Sequence, residues 1–180
     1  MRKLRVFESI SIDGYFTDDH GDMSWAHTDD AEFTDWVAGN AGSGGELLFG
    51  RKTYEMMVAF WPTALAAQQL PAVAKGMNAA TKHLASRTLT PSWSNTRLLQ
   101  GELIEAVRAL KASPGPDITV LGSGDVVAQL GDAGLVDAYQ FVIIPVALGA
   151  GRTVFRSRRN LQLIEQRVFR CGNVVVTYGT

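Results

Sequence analysis

The sequence predicts an α/β fold whose central sheet is mostly parallel and turns antiparallel at its end. Three observations carry this. Strand-like apolar runs alternate with helical patterns as far as Gly134. Ile118-Thr119-Val120-Leu121 is nearly continuous in apolar character, as in a strand covered by helices on both faces. From Asp137 onward only strand-like segments follow, closing in a hairpin around Gly172.

Arg2 to Ile12, rich in β-branched and aromatic residues, reads as the first strand. Asp13 to Thr28 is crowded with Gly, Asp and Ser and reads as a long loop. Thr28 is placed to cap a helix through Phe33, Trp36 and Val37. Glu46 to Phe49 is a short apolar strand stopped at Gly50, and Thr53 to Phe60 is helical. Thr63 to Ala80 is a long polar and alanine-rich stretch. Lys82 to Ser86 and Thr96 to Gln100 are short strands. Leu103, Ala106, Val107 and Leu110 make one apolar stripe, with Glu102 and Glu105 in the first turn and Arg108 and Lys111 in the last. That charge order complements the helix dipole. Ser123 to Ala133 is the next helix, stopped by Gly134. Asp137 to Leu148 is a long strand, and Leu161 to Arg170 pairs with Asn173 to Tyr178.

Composition narrows the function classes. The chain has 180 residues, 46% hydrophobic and 19% charged, which fits one ordinary domain over 1–180 and excludes disorder. Seventeen basic and eighteen acidic side chains leave a net charge of −1, without the basic excess of a nucleic-acid binder. The one cysteine, Cys171, has no partner for a disulfide, and Glu8 with Ser9 and Ser11 interrupts the apolar run a signal peptide needs. Phe141 to Ala150 is too short for a membrane span and holds Pro145 and Gly149. These features predict a soluble, cytoplasmic protein. His20, His27 and His83 are too scattered for a zinc site, and no metal is expected. Neither a GxSxG elbow nor a Cys–His signature is present for nucleophilic catalysis.

Two strand ends draw attention, because ligands of open α/β sheets bind beyond the carboxyl ends of strands. Gly122-Ser123-Gly124 joins a strand directly to a helix, and such small residues let backbone N–H groups approach a phosphate. It reads equally as an ordinary tight turn. It is not the dinucleotide fingerprint, since Val127 stands where a third glycine would be. Asp125 would repel an anion unless turned away, and otherwise caps the helix. Gly50-Arg51-Lys52-Thr53 places two cations and a hydroxyl at a helix start, suited to a polyphosphate or simply solvated. The extra Arg51 before Lys52 breaks the P-loop spacing, so a nucleoside-triphosphate hydrolase is excluded. Arg152, Arg156, Arg158 and Arg159 read as a grip for a substrate phosphate or as a solvated turn.

In order, several pieces resemble the dihydrofolate reductase-like superfamily, and within it the stand-alone relatives of the reductase domain of bacterial riboflavin-biosynthesis deaminase–reductases. They are Ser11-Ile12-Asp13-Gly14-Tyr15, Gly50-Arg51-Lys52-Thr53-Tyr54-Glu55, Leu84-Ala85-Ser86-Arg87-Thr88-Leu89 and Val120-Leu121-Gly122-Ser123-Gly124. Gly134-Leu135-Val136-Asp137 and Ile144-Pro145-Val146-Ala147-Leu148-Gly149-Ala150-Gly151-Arg152 complete the series.

The resemblance implies a three-layer fold and an NADPH-dependent reductase acting on a small heterocycle of pyrimidine or pterin type. A 5-amino-6-(5-phosphoribosylamino)uracil reductase-like activity is the model case. By the same resemblance Gly50, Arg51, Lys52 and Thr53, with Gly122, Ser123 and Gly124, hold the pyrophosphate, and Asp125 belongs to the same cofactor site. Ser86 and Arg87 take the 2′-phosphate, giving NADPH preference over NADH. Ile12 and Gly14 border the nicotinamide beneath a mobile loop that runs to Trp25. Five residues past Trp25 stands Asp30, the position of the substrate-binding carboxylate of folate reductases, with Phe33 a turn further on and Thr153 as its hydrogen-bonding threonine. Asp29 and Asp30 read equally as first-turn acids of a helix. The family often carries a cis peptide at its glycine pair; Ser123 as second residue leaves that bond open. No basic residue for a glutamate tail is found, so folate itself is not the expected substrate. Two other expectations stand beside the enzyme: a dinucleotide-binding module without turnover, and a scaffold using the same fold. A homodimer is implied, with Phe141–Leu148 as a candidate interface strand, a segment explained equally well as core.

Overall fold

The computed structural model describes residues 1–180. Ten strands and six α-helices run in the order β1 Leu4–Ser11, β2 Tyr15–Thr17, α1 Ala31–Ala41, β3 Glu46–Gly50, α2 Arg51–Phe60, α3 Ala64–Gln69, α4 Pro71–Ala79, β4 Lys82–Ala85. They continue with β5 Thr96–Leu98, α5 Leu103–Ala112, β6 Ile118–Leu121, α6 Gly124–Asp132, β7 Ala138–Ile144, β8 Arg152–Thr153, β9 Gln162–Val168 and β10 Val174–Gly179.

Eight strands form one sheet in the order β5-β4-β3-β6-β1-β7-β10-β9, and β2 pairs separately with β8. From β5 to β7 every neighbouring pair is parallel; β10 is antiparallel to both β7 and β9. The sheet is therefore mixed and mostly parallel, with an antiparallel C-terminal hairpin, as the sequence predicts.

The strand period of two explains the layers. Leu4 and Val6 of β1, Leu48 of β3 and Val120 of β6 point to one face, where they pack with Val107 of α5 and Leu130 of α6. On the other face Phe49, Leu84 and the partly buried Leu121 meet Tyr54 of α2 and Val73 and Met77 of α4. Phe7, Val142 and Phe169 meet Phe33 and Trp36 of α1 there. Helices thus cover both faces, giving three layers. Crucially, β6 lies between β3 and β1, with Leu48 opposite Val120 and Phe7 opposite Leu121. The carboxyl ends of β3, β6 and β1 stand side by side.

Several expectations need correction. The helix expected to be capped by Thr28 starts at Ala31 and is capped by Asp30, whose Oδ1 accepts the Phe33 N–H at 2.8 Å. Thr28 Oγ1 instead accepts from the buried Asn173 side chain at 3.0 Å. The unread stretch 63–80 holds α3, capped by Thr63, and α4, which begins at Pro71. The supposed loop 13–28 contains β2 and a 3-10 turn at Ser24–Ala26. The first half of the Phe141–Leu148 segment is core: β7 ends at Ile144 and sits between β1 and β10, with Phe141, Val142 and Ile144 buried. Exposed apolar side chains lie instead on the edge strand β9, at Leu163, Ile164 and Val168.

Candidate functional site

The strand tips form one turn rather than two. The Gly50 N–H donates to Ser123 Oγ at 2.7 Å, and the same hydroxyl donates to Thr53 Oγ1 at 2.7 Å. A Cβ on Gly50 would lie 2.9 Å from Ser123 Oγ and 3.0 Å from Val126 Cγ2, so only glycine fits. Gly122 and Ser123 both adopt left-handed backbone, at φ +54° and +66°. Glycine does this freely and serine under strain. All peptide bonds, Gly122–Ser123 included, are trans. The Phe16 ring packs against Gly124, sealing one side of the turn, and the Arg152 guanidinium lies 5.7 Å from the centre of that ring.

Helices α2 and α6 both begin here without a side-chain cap. The leading N–H groups of an uncapped helix carry partial positive charge and lack intrahelical partners, which makes them anion donors. The Gly50 amide is already taken by Ser123 and the Val126 amide by Ser123 O at 2.7 Å, so the donors left to a ligand are the other leading amides, Gly124 and Asp125 in α6 and the first turn of α2. Both starts open on a cavity of about 1040 Å³ lined by 42 residues, at the upper end of the roughly 300–1,000 Å³ of small-molecule sites. It runs from the tips towards the space under α1, where Val37, Asn40 and Ala41 line it.

Of the sequence-predicted residues, Gly50, Arg51, Lys52, Thr53, Gly122, Ser123, Gly124 and Asp125 meet in this wall. Arg51 is paired with Glu55 at 2.9 Å, whereas Lys52 has no ion-pair partner. Asp125 is exposed and turned to Arg156 and Arg152, the latter at 3.5 Å. Its charge is thereby offset by two cations of the predicted basic run. Arg159 is held by Asp132 at 2.6 Å, and that contact together with the Ser157 hydroxyl, the stronger of the two, keeps the Asp132 carboxyl below its usual range.

The remaining predicted residues lie outside the wall. Ile12 is exposed, its N–H donating to Val146 O at 2.9 Å, and Gly14 takes φ +88° in the turn closed by its N–H to Ser11 O. Ser86 Oγ accepts the N–H groups of Thr88 and Leu89, at 3.3 and 3.1 Å, and holds the bend that presents the exposed Arg87. Trp25 Nε1 donates to Asp22 O at 3.1 Å. Phe33 stacks on Trp36, with ring centres 5.9 Å apart. Asp30 uses Oδ1 as a helix cap, and Oδ2 has no protein partner. The expected hydrogen bond from Thr153 to Asp30 is not formed, because Thr153 Oγ1 donates to Phe155 O at 3.3 Å.

Two quoted motifs prove to be one joint. Asp13 accepts the N–H groups of Leu148 and Gly149, the shortest at 2.7 Å, and the Ser11 hydroxyl at 2.5 Å. The Ser11 bond, then the Gly149 amide, hold its carboxyl below the usual range. This fixes the loop after β7 onto the end of β1. Sequence reasoning missed Glu8, Phe16 and Thr17, which also line the cavity. For Glu8 the signal was available: a carboxyl at an inward position between Val6 and Ile10 on an apolar strand.

The strand order, the layers and the closing hairpin define a dihydrofolate reductase-like α/β protein. The chain belongs to the RibD C-terminal domain family, whose model matches residues 2–177. It is 26% identical over 181 residues to "Uncharacterized protein YyaP" of Bacillus subtilis (strain 168), covering 98% of this chain and 94% of that protein. A putative riboflavin biosynthesis protein from Shewanella sp. PV-4 superposes with TM-score 0.70 at 22% identity, over 98% of both chains. A diaminohydroxyphosphoribosylaminopyrimidine deaminase/5-amino-6-(5-phosphoribosylamino)uracil reductase from Thermotoga maritima superposes with TM-score 0.68 at 15% identity. That match takes in 99% of this chain and 56% of the Thermotoga chain. No helix is long and apolar enough to cross a membrane.

Proposed function

We propose that the protein is an NADPH-dependent reductase of a small heterocycle in the ribosylamino-pyrimidine class. The observation that carries this reading is the Gly50–Ser123 contact, which joins two uncapped helix starts at the wall of one large cavity. Paired helix N-termini with Lys52 and Arg51 suit a pyrophosphate. The residues fit a dinucleotide in a second respect: glycine at Gly50 and Gly122 keeps side chains out of the turn, and two buried oxygens of the wall lack protein partners. Membership of a family named for a riboflavin-pathway protein, and the reductase named for the Thermotoga relative, support the substrate class.

In this mechanism the first turns of α2 and α6 hold the pyrophosphate, and Arg87 at the β4 bend reads the 2′-phosphate. NADPH when bound supplies hydride. Substrate is placed past the cavity wall at the start of α1, where Asp30 Oδ2 is free to accept from an amino-pyrimidine and Phe33 and Trp25 stand beside it. Phe16 and the β2–β8 ribbon keep water from the turn.

Titration with NADPH, followed through tryptophan fluorescence, tests the reading, since Trp61 lines the cavity. Saturable binding, then oxidation of NADPH with a ribosylamino-pyrimidine phosphate, is the expected result. Absence of binding overturns it and leaves the scaffold expectation. One observation favours a second reading, a dinucleotide-binding module without turnover: the Asp30 carboxylate is engaged as a helix cap and lies outside the cavity wall. Binding without oxidation across pyrimidines, pterins and quinones would establish that reading.

A further inference from the structure

Glu8 stands on β1 opposite Phe141 of β7, on the face covered by α5 and α6, and is 3% exposed. Its Oε2 has no hydrogen-bond partner. A Cβ built on Gly122 would be 3.7 Å from that oxygen, so the carboxyl lies against the strand-to-helix turn. A second buried oxygen without a partner is Thr17 Oγ1 on β2, and Glu8 and Thr17 are both residues of the same cavity wall. Buried polar atoms are nearly always satisfied, and two orphans in the wall of one cavity mark positions where ligand atoms belong.

We propose that Glu8 and Thr17 are further contacts for the dinucleotide, hydrogen-bonding a hydroxyl or carbonyl group of it where it passes the Gly122–Gly124 turn. This rests on the dinucleotide reading above. An ionised carboxylate at that place would repel a pyrophosphate. Burial, however, pushes the Glu8 carboxyl up to about 8, against a smaller lowering by the Ser9 backbone, so at neutral pH it is an O–H donor. The dinucleotide then binds the protonated form, and affinity falls as pH rises through that value.

Other charged groups around Glu8 do not produce this profile. Helix α2 brings Arg51 and Lys52, α6 brings Asp125, and β8 brings Arg152, with Arg156 on Asp125. From α5 come Lys111, bound to Asp137, and an exposed Glu105–Arg108 pair. Burial raises the Tyr139 hydroxyl of β7 above its usual range. His20 of the loop lines the same cavity. The 2′-phosphate titrates below the tested window, at about 6.

The test is NADPH affinity from pH about 6.5 to about 9.5, in wild type, Glu8→Gln and Thr17→Val, with the carbon-13 shift of the Glu8 carboxyl followed in wild type. The expected wild-type dissociation constant rises about tenfold per pH unit above about 8. Glu8→Gln gives a flat profile, Thr17→Val weakens binding at every pH, and the Glu8 titration moves upward when NADPH is added. Intact binding with a flat wild-type profile and an unmoved Glu8 titration overturns the proposal and spares the dinucleotide reading. Absence of binding in all three proteins at every pH overturns both. Should Glu8→Gln fail to fold, the wild-type carboxyl titration with and without NADPH decides alone.

Discussion

The hydroxyl of Ser123 bonds the Gly50 amide and the Thr53 hydroxyl together, each at 2.7 Å, so the tips of β3 and β6 move as one unit. Gly50→Ala must break this unit, because the new methyl meets Ser123 Oγ and Val126 Cγ2 at 2.9 and 3.0 Å. Overpacking of this kind costs about 1–3 kcal/mol. The expected outcome is a matching loss of stability in urea titrations and loss of NADPH binding at the displaced turn.

Asp30 offers a clean separation of structure from chemistry. Asn caps helices about as well as Asp, whereas Ala costs roughly 1 kcal/mol. Asp30→Asn is expected to keep the melting temperature and NADPH affinity while lowering turnover by about 10²-fold or more, the range for a lost acid or base. Asp30→Ala lowers both stability and turnover. Unchanged turnover in Asp30→Asn would assign the residue to the cap alone.

Cofactor preference is expected to depend on Arg87. It is exposed on the bend held by Ser86, and its guanidinium is suited to a 2′-phosphate. Arg87→Ala should weaken NADPH severalfold in calorimetry and leave NADH unchanged. Equal losses for both cofactors would place the 2′-phosphate elsewhere.

Acid stability should hinge on Glu46. Burial alone would raise its carboxyl, but hydrogen bonds from Arg2 and His83 outweigh this and bring it below the usual range. A depressed folded value means that the stabilisation is present above pH 4.5 and is lost as pH falls through the folded pKa. Glu46→Gln leaves the buried Arg2 charge unpaired, which costs about 3–5 kcal/mol. Urea midpoints against pH are expected to fall below pH 4.5 in wild type and to be lower and flatter there in the variant.

Strand β9 pairs only with β10, and Leu163, Ile164 and Val168 are exposed on it. Such an edge invites pairing with a second copy. A dimer is expected by light scattering, and Ile164→Lys is expected to yield the monomer.

Much of this architecture was legible because burial writes periodicity into the chain. The β6 run Ile118–Leu121 is apolar throughout because helices cover both its faces, and α5 shows a stripe because one side faces solvent. The start of α1 was misplaced by two residues because Thr28 and Asp30 are both good caps; only the Asn173 side chain, distant in sequence, decides which of them is free. Helices α3 and α4 were hidden by alanine and glutamine, which favour helix without marking a face, although Thr63 and Pro71 signalled their starts. At the site, the glycine turns were readable from composition. Glu8 was passed over as an interruption of an apolar run, since its meaning depends on Gly122 lying next to it in the sheet, a relation no local spacing contains.

At the opposite rim of the sheet, Arg2 ties itself to Glu46 and to the carbonyl of Pro116, and His83 joins Glu46 at 2.7 Å. This knot gathers the beginnings of β1, β3, β4 and β6, far along those strands from where they end. Anchorage at one rim frees the other to vary: replacements among the tip residues can redirect which molecule is accepted while the barrel of contacts beneath holds its shape. Divergent relatives could thus keep the same frame and part company in chemistry.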